Sequence, residues 1–448
     1  MLQRVVCLLL FCRAVSGFLL YTKQNKISTQ QFQGFGNDVL RDGGMFEKTE
    51  KAVNNFDWVS QGVGQTAVPE IDLDFAKATA EYFFDFHTVK KGGDKDWDYP
   101  REWVVEVLKS ALAINKVLPT LIEVPLSPSP DSKVVICGDT HGQFFDVLTL
   151  FTRKVGGSWP TVDNQFVFNG DFVDRGVYSF EVAFLLLVLK VADPASIHVL
   201  RGNHECTAMN RVGGFEKQVL AKYDEGVLDL FRQVFQALPV CAVVGRMPTT
   251  VEGEDEGEGQ FGNGIFVTHG GIGARSASMS LDEIRQLDRF REPFSSLSKQ
   301  GQGGGKEDAL AELLWSDPAD TRPGERFSTN APRGLGYGYS FGPEATMEFL
   351  AANNLELLVR SHQVADGARV EHSGLCITVF SAPNYCDVVG NKGSVLHVER
   401  ETRVGLDRGS KLRVTALNFY AKRHPRMKES DAMKMPPDIW EIDEQGMA

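Results

Sequence analysis

Apolar residues recur along this chain with two different periods. Between residues 70 and 125 they return every three to four positions. Val104, Val105, Val107, Leu108, Leu112, Ile114 and Leu118 gather on one side of a helix, and Pro125, Pro128 and Pro130 close the segment. From Lys133 the pattern changes to short runs rich in β-branched and aromatic residues. The runs at 133–137, 165–168, 197–200, 264–268, 355–359 and 376–380 have the length and composition of buried strands. Helical stretches near 143–154 and 179–191 separate the first three, an alternation that predicts an α/β core. The apolar run 182–191 falls short of the roughly 20 residues a membrane span needs and reads as a buried helix.

These patterns divide the chain into a tail at 1–65, a helical lead-in at 66–132, a main domain at 133–430 and a second tail at 431–448. Two stretches read as solvated surface insertions: the acidic 252–259 (EGEDEGEG) and the Gly-, Ser- and Gln-rich 295–306. No 34-residue self-similarity of the tetratricopeptide kind is present.

Each strand-like run ends in polar residues with ligand chemistry. The endings are GDTHG at 138–142, NGDFVDRG at 169–176, RGNHE at 201–205, HGG at 269–271, RSH at 360–362 and SAPNY at 381–385. In open α/β sheets function collects at the carboxyl ends of strands, so the coincidence is informative. Asp139 and His141, one residue apart, can turn toward one cation. Asp171, a carboxylate, can bridge two, and Asn203, His269 and His362 complete a second, mixed nitrogen and oxygen site. Imidazole, carboxylate and amide ligands suit iron, zinc or manganese better than calcium or magnesium. Glycines at 138, 142, 170, 176, 202, 270 and 271 let the backbone turn sharply beside these ligands.

Two cations about 3.5–4 Å apart would clamp a phosphoryl oxygen and lower the pKa of a bridging water for direct in-line attack. His204, next to ligand Asn203, is free to act as general acid, with Asp174 to orient its ring. Arg175 offers a fork of donors for phosphate oxygens. Taken singly, an Asp-x-His or an Asn-His-Glu is usually a turn or surface loop; the joint occurrence at successive strand ends is what carries the reading. Glu205 and Arg360 read as supporting partners and Trp315 as packing. His198 reads as structural, and His87, His372, His397 and His424 receive no role.

Composition narrows the picture further. With 47 basic against 59 acidic residues, the formal charge of −12 disfavours wholesale nucleic-acid binding. The seven cysteines form no CxxC pair and read as free thiols of a reducing compartment, which points to the cytoplasm or nucleus. Against this, the run 5–12 between Arg4 and Arg13, followed by small residues, has the outline of a short secretory leader. The alternative there is a solvated extension.

The same motifs resemble the phosphoprotein phosphatase family of metal-dependent serine/threonine phosphatases. The matches are GDTHGQ at 138–143, GDFVDRG at 170–176, RGNHE at 201–205, HGG at 269–271, LLWSDP at 313–318, RSHQV at 360–364 and SAPNYCD at 381–387. The resemblance runs from about 70 to 430. GNKGS at 390–394 and HPRMK at 424–428 are most similar to the type 5 branch, whose linker helices the lead-in resembles, with a helix ending near 121–124. It implies a calcineurin-like metallophosphoesterase fold: a central β-sandwich flanked by helices, with a dinuclear metal site at strand ends. It implies Asp139, His141 and the shared Asp171 at one metal, and Asp171, Asn203, His269 and His362 at the other. Manganese, or iron with zinc, would be the cofactors. His204 matches the general acid and Asp174 its partner. Arg175, Asn203, Arg333 and Tyr385 match substrate-binding positions, although the GLGYGYSFG loop after Arg333 is longer than the family's compact turn. Phosphoprotein substrates and regulatory or docking subunits are the implied partners. Two rivals stand beside this reading. One is another metallophosphoesterase, such as a nuclease or dinucleoside polyphosphate hydrolase, and the other is a binding-only pseudophosphatase.

Overall fold

A computed structural model describes residues 68–93, 96–246, 264–293, 308–322, 324–330, 333, 338–401 and 411–426. The tails, the leader and the insertions at 252–259 and 295–306 lie outside the described residues.

Strand alternation builds the centre of the fold. Strand β1 (Leu121–Val124) comes first in the chain, and in β2 (Lys133–Cys137), which pairs with β3 (Asn164–Phe168), Val134 and Ile136 enter one apolar layer while Val135 and Cys137 enter another. Phe166 and Phe168 of β3 face the second layer and Val167 the first. Successive side chains of a strand point to opposite faces, so a strand buried on both sides must be apolar throughout. That is why these segments appear as unbroken runs.

Strand β4 (Ile197–Val199) completes the parallel trio β2-β3-β4. Two sheets pack face to face across the shared layer. The other contains β5 (Cys241–Val244) and β6 (Ile265–Thr268), then, past a short sheet of β7 (Asp317–Pro318), β8 (Phe327–Thr329) and β9 (Tyr339–Phe341), the strands β10 (Leu357–Arg360), β11 (Ala368–Glu371) and β12 (Cys376–Val379). Its order is β1-β5-β6-β10-β12-β11. The first sheet, closed by β13 (Gly393–Glu401) and β14 (Lys411–Phe419), runs β14-β13-β2-β3-β4. Val134, Ile136, Val167, Leu396 and Val398 meet Ala242, Val244, Ile265, Val267, Leu357 and Val359 between them. The architecture is thus a β-sandwich with helices outside, as the resemblance implied.

Helices cover both outer faces. Outside the first sheet lie α1 (Leu73–Thr88), α2 (Arg101–Lys116), α3 (Phe144–Leu150) and α4 (Ser179–Ala192). Next come α5 (Thr207–Gly213), α6 (Phe215–Lys222) and α7 (Glu225–Ala237), with α8 (Leu281–Arg285), α9 (Ala309–Trp315) and α10 (Pro343–Ala352) outside the second. Asp72 caps α1 by accepting from the Phe75 amide at 2.8 Å, satisfying one donor that a helix start leaves open. Helix α4 is apolar almost all round and buried from Ser179 to Lys190, because α1 and α2 lie across it as a second layer. No described helix is long and apolar enough to cross a membrane.

One sequence expectation is corrected here. The helical reading that ended near 121–124 fails, because α2 stops at Lys116 and Leu121–Val124 is a strand paired in parallel with Cys241–Val244. Pro119 disfavours helical backbone at Leu118, and the paired edge of the sheet, some 120 residues distant in the chain, recruits the segment.

The two lead-in helices bury Phe75, Phe83, Val104, Val107, Leu108 and Leu112 in the same core as α4. At about 1.5–3 kcal/mol per large side chain, this burial is comparable to the roughly 5–15 kcal/mol stability of a whole domain. A variant lacking residues 1–117 is therefore expected in the insoluble fraction on expression. A soluble truncated chain with a cooperative melt would contradict this.

Candidate active site

The polar strand ends converge where the two sheets meet. β2, β3 and β4 deliver Asp139, His141, Asp171, Asp174, Asn203 and His204 from one sheet, and β6 and β10 deliver His269 and His362 from the other. A parallel bridge between Asp139 and Phe380, beyond β12, closes the gap between the sheets. All eight polar side chains are buried.

The backbone there is strained. His141, Asp171, Asp174, Arg175 and His362 take positive φ values of 39°, 52°, 67°, 70° and 67°. Non-glycine residues in this region cost on the order of 1–3 kcal/mol each and persist where the surroundings over-determine them. Glycine is needed where the two loops touch. A Cβ on Gly170 would lie 2.4 Å from the Gly202 Cα, and one on Gly202 would lie 2.3 Å from Asp171 Oδ1.

Glu205 holds these loops in register. Its carboxylate accepts from the amides of Asp171 (2.8 Å), Phe172 (3.0 Å) and Gly202 (2.7 Å), so one buried side chain clamps the ends of β3 and β4. In a Glu205→Gln variant the amide NH2 would face backbone donors, and a buried donor without an acceptor costs about 1–3 kcal/mol. The variant is expected to melt several degrees lower and to retain less metal. Unchanged melting and metal content would show that the clamp is dispensable.

The ligand-capable atoms form two groups that share Asp171. His141, Asp171 and His204 make one, and Asp171, His269 and His362 the other, with all atoms of each group within 4.8 Å of one another. Asp139 Oδ2 lies 3.7 Å from His141 Nε2, and Asp171 Oδ2 lies 3.6 Å from His141 Nε2 and 3.2 Å from His269 Nε2.

Ring tautomers decide what these atoms offer. His141 donates from Nδ1 to the Val173 carbonyl at 2.9 Å, and His269 donates from Nδ1 to the Asn169 carbonyl at 2.8 Å. Each ring therefore turns its Nε2 into the cluster, the arrangement by which metal-binding histidines are oriented. The Asn203 amide end that points into the cluster lies 2.9 Å from His269 Nε2, 2.8 Å from His362 Nδ1 and 3.0 Å from Asp171 Oδ2. With its oxygen turned there, beside a carboxylate and two imidazole nitrogens, the amide completes a donor set suited to a cation; with its nitrogen turned there, it donates to the same atoms instead. The residues present therefore fit a metal pair.

Electrostatics set the rings apart: burial would lower the His269 pKa, but Asp171 and Asp139 outweigh it and raise it to about 9, a proton that a bound ion would displace. Burial pushes the Asp139 carboxyl up to about 6. Burial acts the same way on Asp171, but His269, His204 and His141 outweigh it and hold that carboxyl far below the ordinary range. Burial, reinforced by His204, lowers His141 to about 3, and burial with Arg333 lowers His362 well below its usual value. Both rings thus stay neutral, the state in which imidazole binds metal.

His204 differs from the other rings. It donates from Nδ1 to Asp174 Oδ2 at 2.8 Å, while its Nε2 lies 4.0 Å from Asp171 Oδ2. Asp174 also accepts from Asn210 Nδ2 (3.2 Å) and the Phe215 amide (3.0 Å), and so is itself fixed. Burial alone would lower the His204 pKa, but Asp171 and Asp174 outweigh it and hold it raised. Arg175 is exposed at the rim, and its side chain has no hydrogen-bond or ion-pair partner among the described residues.

Arg333 is brought to the cluster by a partner that motif reading missed. It forks onto Asp317 at 2.7 and 3.1 Å and donates to the His362 carbonyl at 2.8 Å. Asp317 also accepts from the buried Arg360 at 2.8 Å. The LLWSDP block was visible in the sequence, but nothing local ties its Asp to an arginine 16 positions away. The Tyr385 ring stands 5.3 Å from the His141 ring. Among the described residues Cys137, Cys206, Cys241, Cys376 and Cys386 are all free thiols.

Comparison with known proteins defines the class: the chain belongs to the calcineurin-like phosphoesterases, whose family model matches residues 132–366. Within that class it is similar to serine/threonine-protein phosphatase 5 of Arabidopsis thaliana, at 38% identity over 362 residues, which are 80% of this chain and 56% of that protein. Human serine/threonine-protein phosphatase 5 is 38% identical over 330 residues, 73% of this chain and 56% of that protein. The chain thus spans a little over half the length of these relatives. A solved protein serine/threonine phosphatase from Saccharomyces cerevisiae, with similarity to human phosphatase PP5, is 33% identical with a TM-score of 0.61, covering 78% of this chain and 98% of that one.

Proposed function

We propose that this chain is a metal-dependent phosphatase that hydrolyses phosphoserine and phosphothreonine in other proteins. The observation that carries the reading is Asp171 standing between His141 on one side and His269 and His362 on the other, with the His204–Asp174 pair beside it and Arg175 at the rim. The names of the relatives supply the substrate class. Asp139, His141, Asp171, Asn203, His269 and His362 would hold two ions. Their mixed donors suit manganese, or iron with zinc. Such a pair, when bound, activates water and neutralises phosphoryl charge.

The chain's own residues do the remaining work. Arg175, with its guanidinium uncommitted at the rim, grips phosphate oxygens, and Arg333, aimed by Asp317, supports the far side. Asn203 faces both the ligand cluster and the phosphate. Water attacks phosphorus in line as the bond to the serine or threonine oxygen breaks. His204 delivers the proton from Nε2 to that oxygen, while Asp174 holds Nδ1 and steadies the ring. Tyr385 lines the cleft over His141. The five free thiols among the described residues suit a reducing compartment, cytoplasm or nucleus.

The test is hydrolysis of a phosphothreonine peptide by metal-stripped chain, before and after Mn²⁺ is restored. Restored turnover is the expected result. Silence toward the peptide with hydrolysis of a dinucleoside polyphosphate would overturn the substrate class. Silence toward both, with metal bound, would leave a binding-only protein.

A further inference from the structure

The segment 420–426, at the end of the described chain, lies against the loop that carries Tyr385. That loop is held in an unusual shape: Asn384, Cys386 and Asp387 take φ values of 43°, 55° and 63°. Three non-glycine residues of four in the left-handed region need restraints from outside. Some come from the core side. Tyr385 donates its amide to Asn391 Oδ1 at 2.9 Å, Asn391 donates to the Ala382 carbonyl at 2.9 Å, and Gln143 donates to the Pro383 carbonyl at 2.8 Å.

The restraint on the outer side comes from the C-terminal segment. His424 Nε2 donates to the Asp387 carboxylate, at 3.1 Å from Oδ1 and 3.2 Å from Oδ2. The ring is itself fixed, stacked on Phe145 with centroids 6.2 Å apart and meeting the Tyr178 hydroxyl through Nδ1 at 3.4 Å. The backbone is pinned two residues earlier, where the Lys422 amide donates to the buried Asp146 at 2.6 Å. Asp146 in turn accepts from Gln143, which also holds Pro383. The segment therefore grips the loop at both ends, at Pro383 through Gln143 and at Asp387 through His424.

We infer that His424 is a positioning residue for substrate binding, which sets the Tyr385 loop through its bond to Asp387. It touches none of the ligand-capable atoms, so it acts on how the substrate is held and not on the metals or on proton transfer. This inference rests on the phosphatase reading for its kinetic arm only.

The experiment compares full-length wild type with His424→Ala and His424→Gln. In the alanine variant KM for a phosphothreonine peptide is expected to rise about five- to tenfold with kcat within about twofold, the signature of lost uniform binding. Hydrogen exchange of amides 384–389 is expected to quicken while β2 keeps wild-type protection. Glutamine, which keeps a donor directed at Asp387, is expected to recover most of both effects. Wild-type KM and wild-type exchange in the alanine variant would overturn the inference. A glutamine variant as impaired as alanine would also overturn it, because ring packing and not the Asp387 bond would then carry the effect. Were wild type inactive on the peptide, the phosphatase reading would fail, and the exchange measurement alone would still decide the role of His424.

Discussion

Asp171→Asn is expected to lose most of the bound metal pair and to lower turnover about a thousandfold or more, while the fold stays intact. Asp171 is shared by both ligand groups, and its Oδ2 lies 3.2 Å from His269 Nε2 and 3.6 Å from His141 Nε2. The surrounding rings hold this carboxyl far below its ordinary range despite burial, so it stands as a full negative charge between two cation sites. An amide keeps the shape, but it removes that charge and turns an N–H donor toward lone pairs. Metal stabilisation of phosphoryl transfer is worth several kcal/mol, and each 1.36 kcal/mol is a factor of ten in rate. Elemental analysis after gel filtration, with circular dichroism as the check on folding, measures the outcome. Full occupancy of both sites in the variant would remove Asp171 from the bridging role.

His204→Asn separates the chemistry from the metal. Loss of a general acid costs about 10²–10⁴ in rate when the leaving group needs a proton. A serine alkoxide needs one and a nitrophenolate does not, so the loss on a phosphoserine peptide should far exceed that on an aryl phosphate. Metal content should remain near wild type, because the proposed ligand set leaves His204 out, and Asp171 and Asp174 hold its ring toward the protonated state, which offers no lone pair to an ion. Equal losses on both substrates, or loss of metal, would reassign the ring as a ligand. The companion change Asp174→Asn removes one of the charges that raise the His204 pKa against burial. The acid works only while protonated, so the alkaline limb of the kcat profile should move to lower pH. A limb that stays in place would mean that Asp174 positions the ring without tuning its proton.

Much of this molecule is legible before folding is considered. Strands at 133–137 and 376–379 coincide with apolar runs because both of their faces are buried, which forces continuous apolar sequence. The ligand-capable residues sit directly after such runs, because a strand end is where the backbone is held and side chains are free to converge. Helix α4 was readable as buried because it has no polar face. Failures have an equally physical origin. Leu121–Val124 follows a strongly periodic helix and is drawn into a strand only by the edge of β5. His87 carried no motif, yet it is buried and bonded to Glu181 at 2.8 Å, a pairing across 94 positions.

The sequence by itself therefore determined the α/β class of the fold, the strand ends that bear chemistry and the candidate ligand residues. Those properties depend on local periodicity and on residue types at short spacing. The tertiary structure alone decided the rest. It brought His269 and His362 from one sheet to Asp171 on the other, oriented the His141 and His269 rings through the Val173 and Asn169 carbonyls, and aimed Arg333 through Asp317. It also laid His424 against the Tyr385 loop. These pairings are set by sheet register and packing between segments far apart in the chain, Asp317 and Arg333 by 16 positions and Asn169 and His269 by 100, and no local pattern in the chain records which distant partner a side chain will meet.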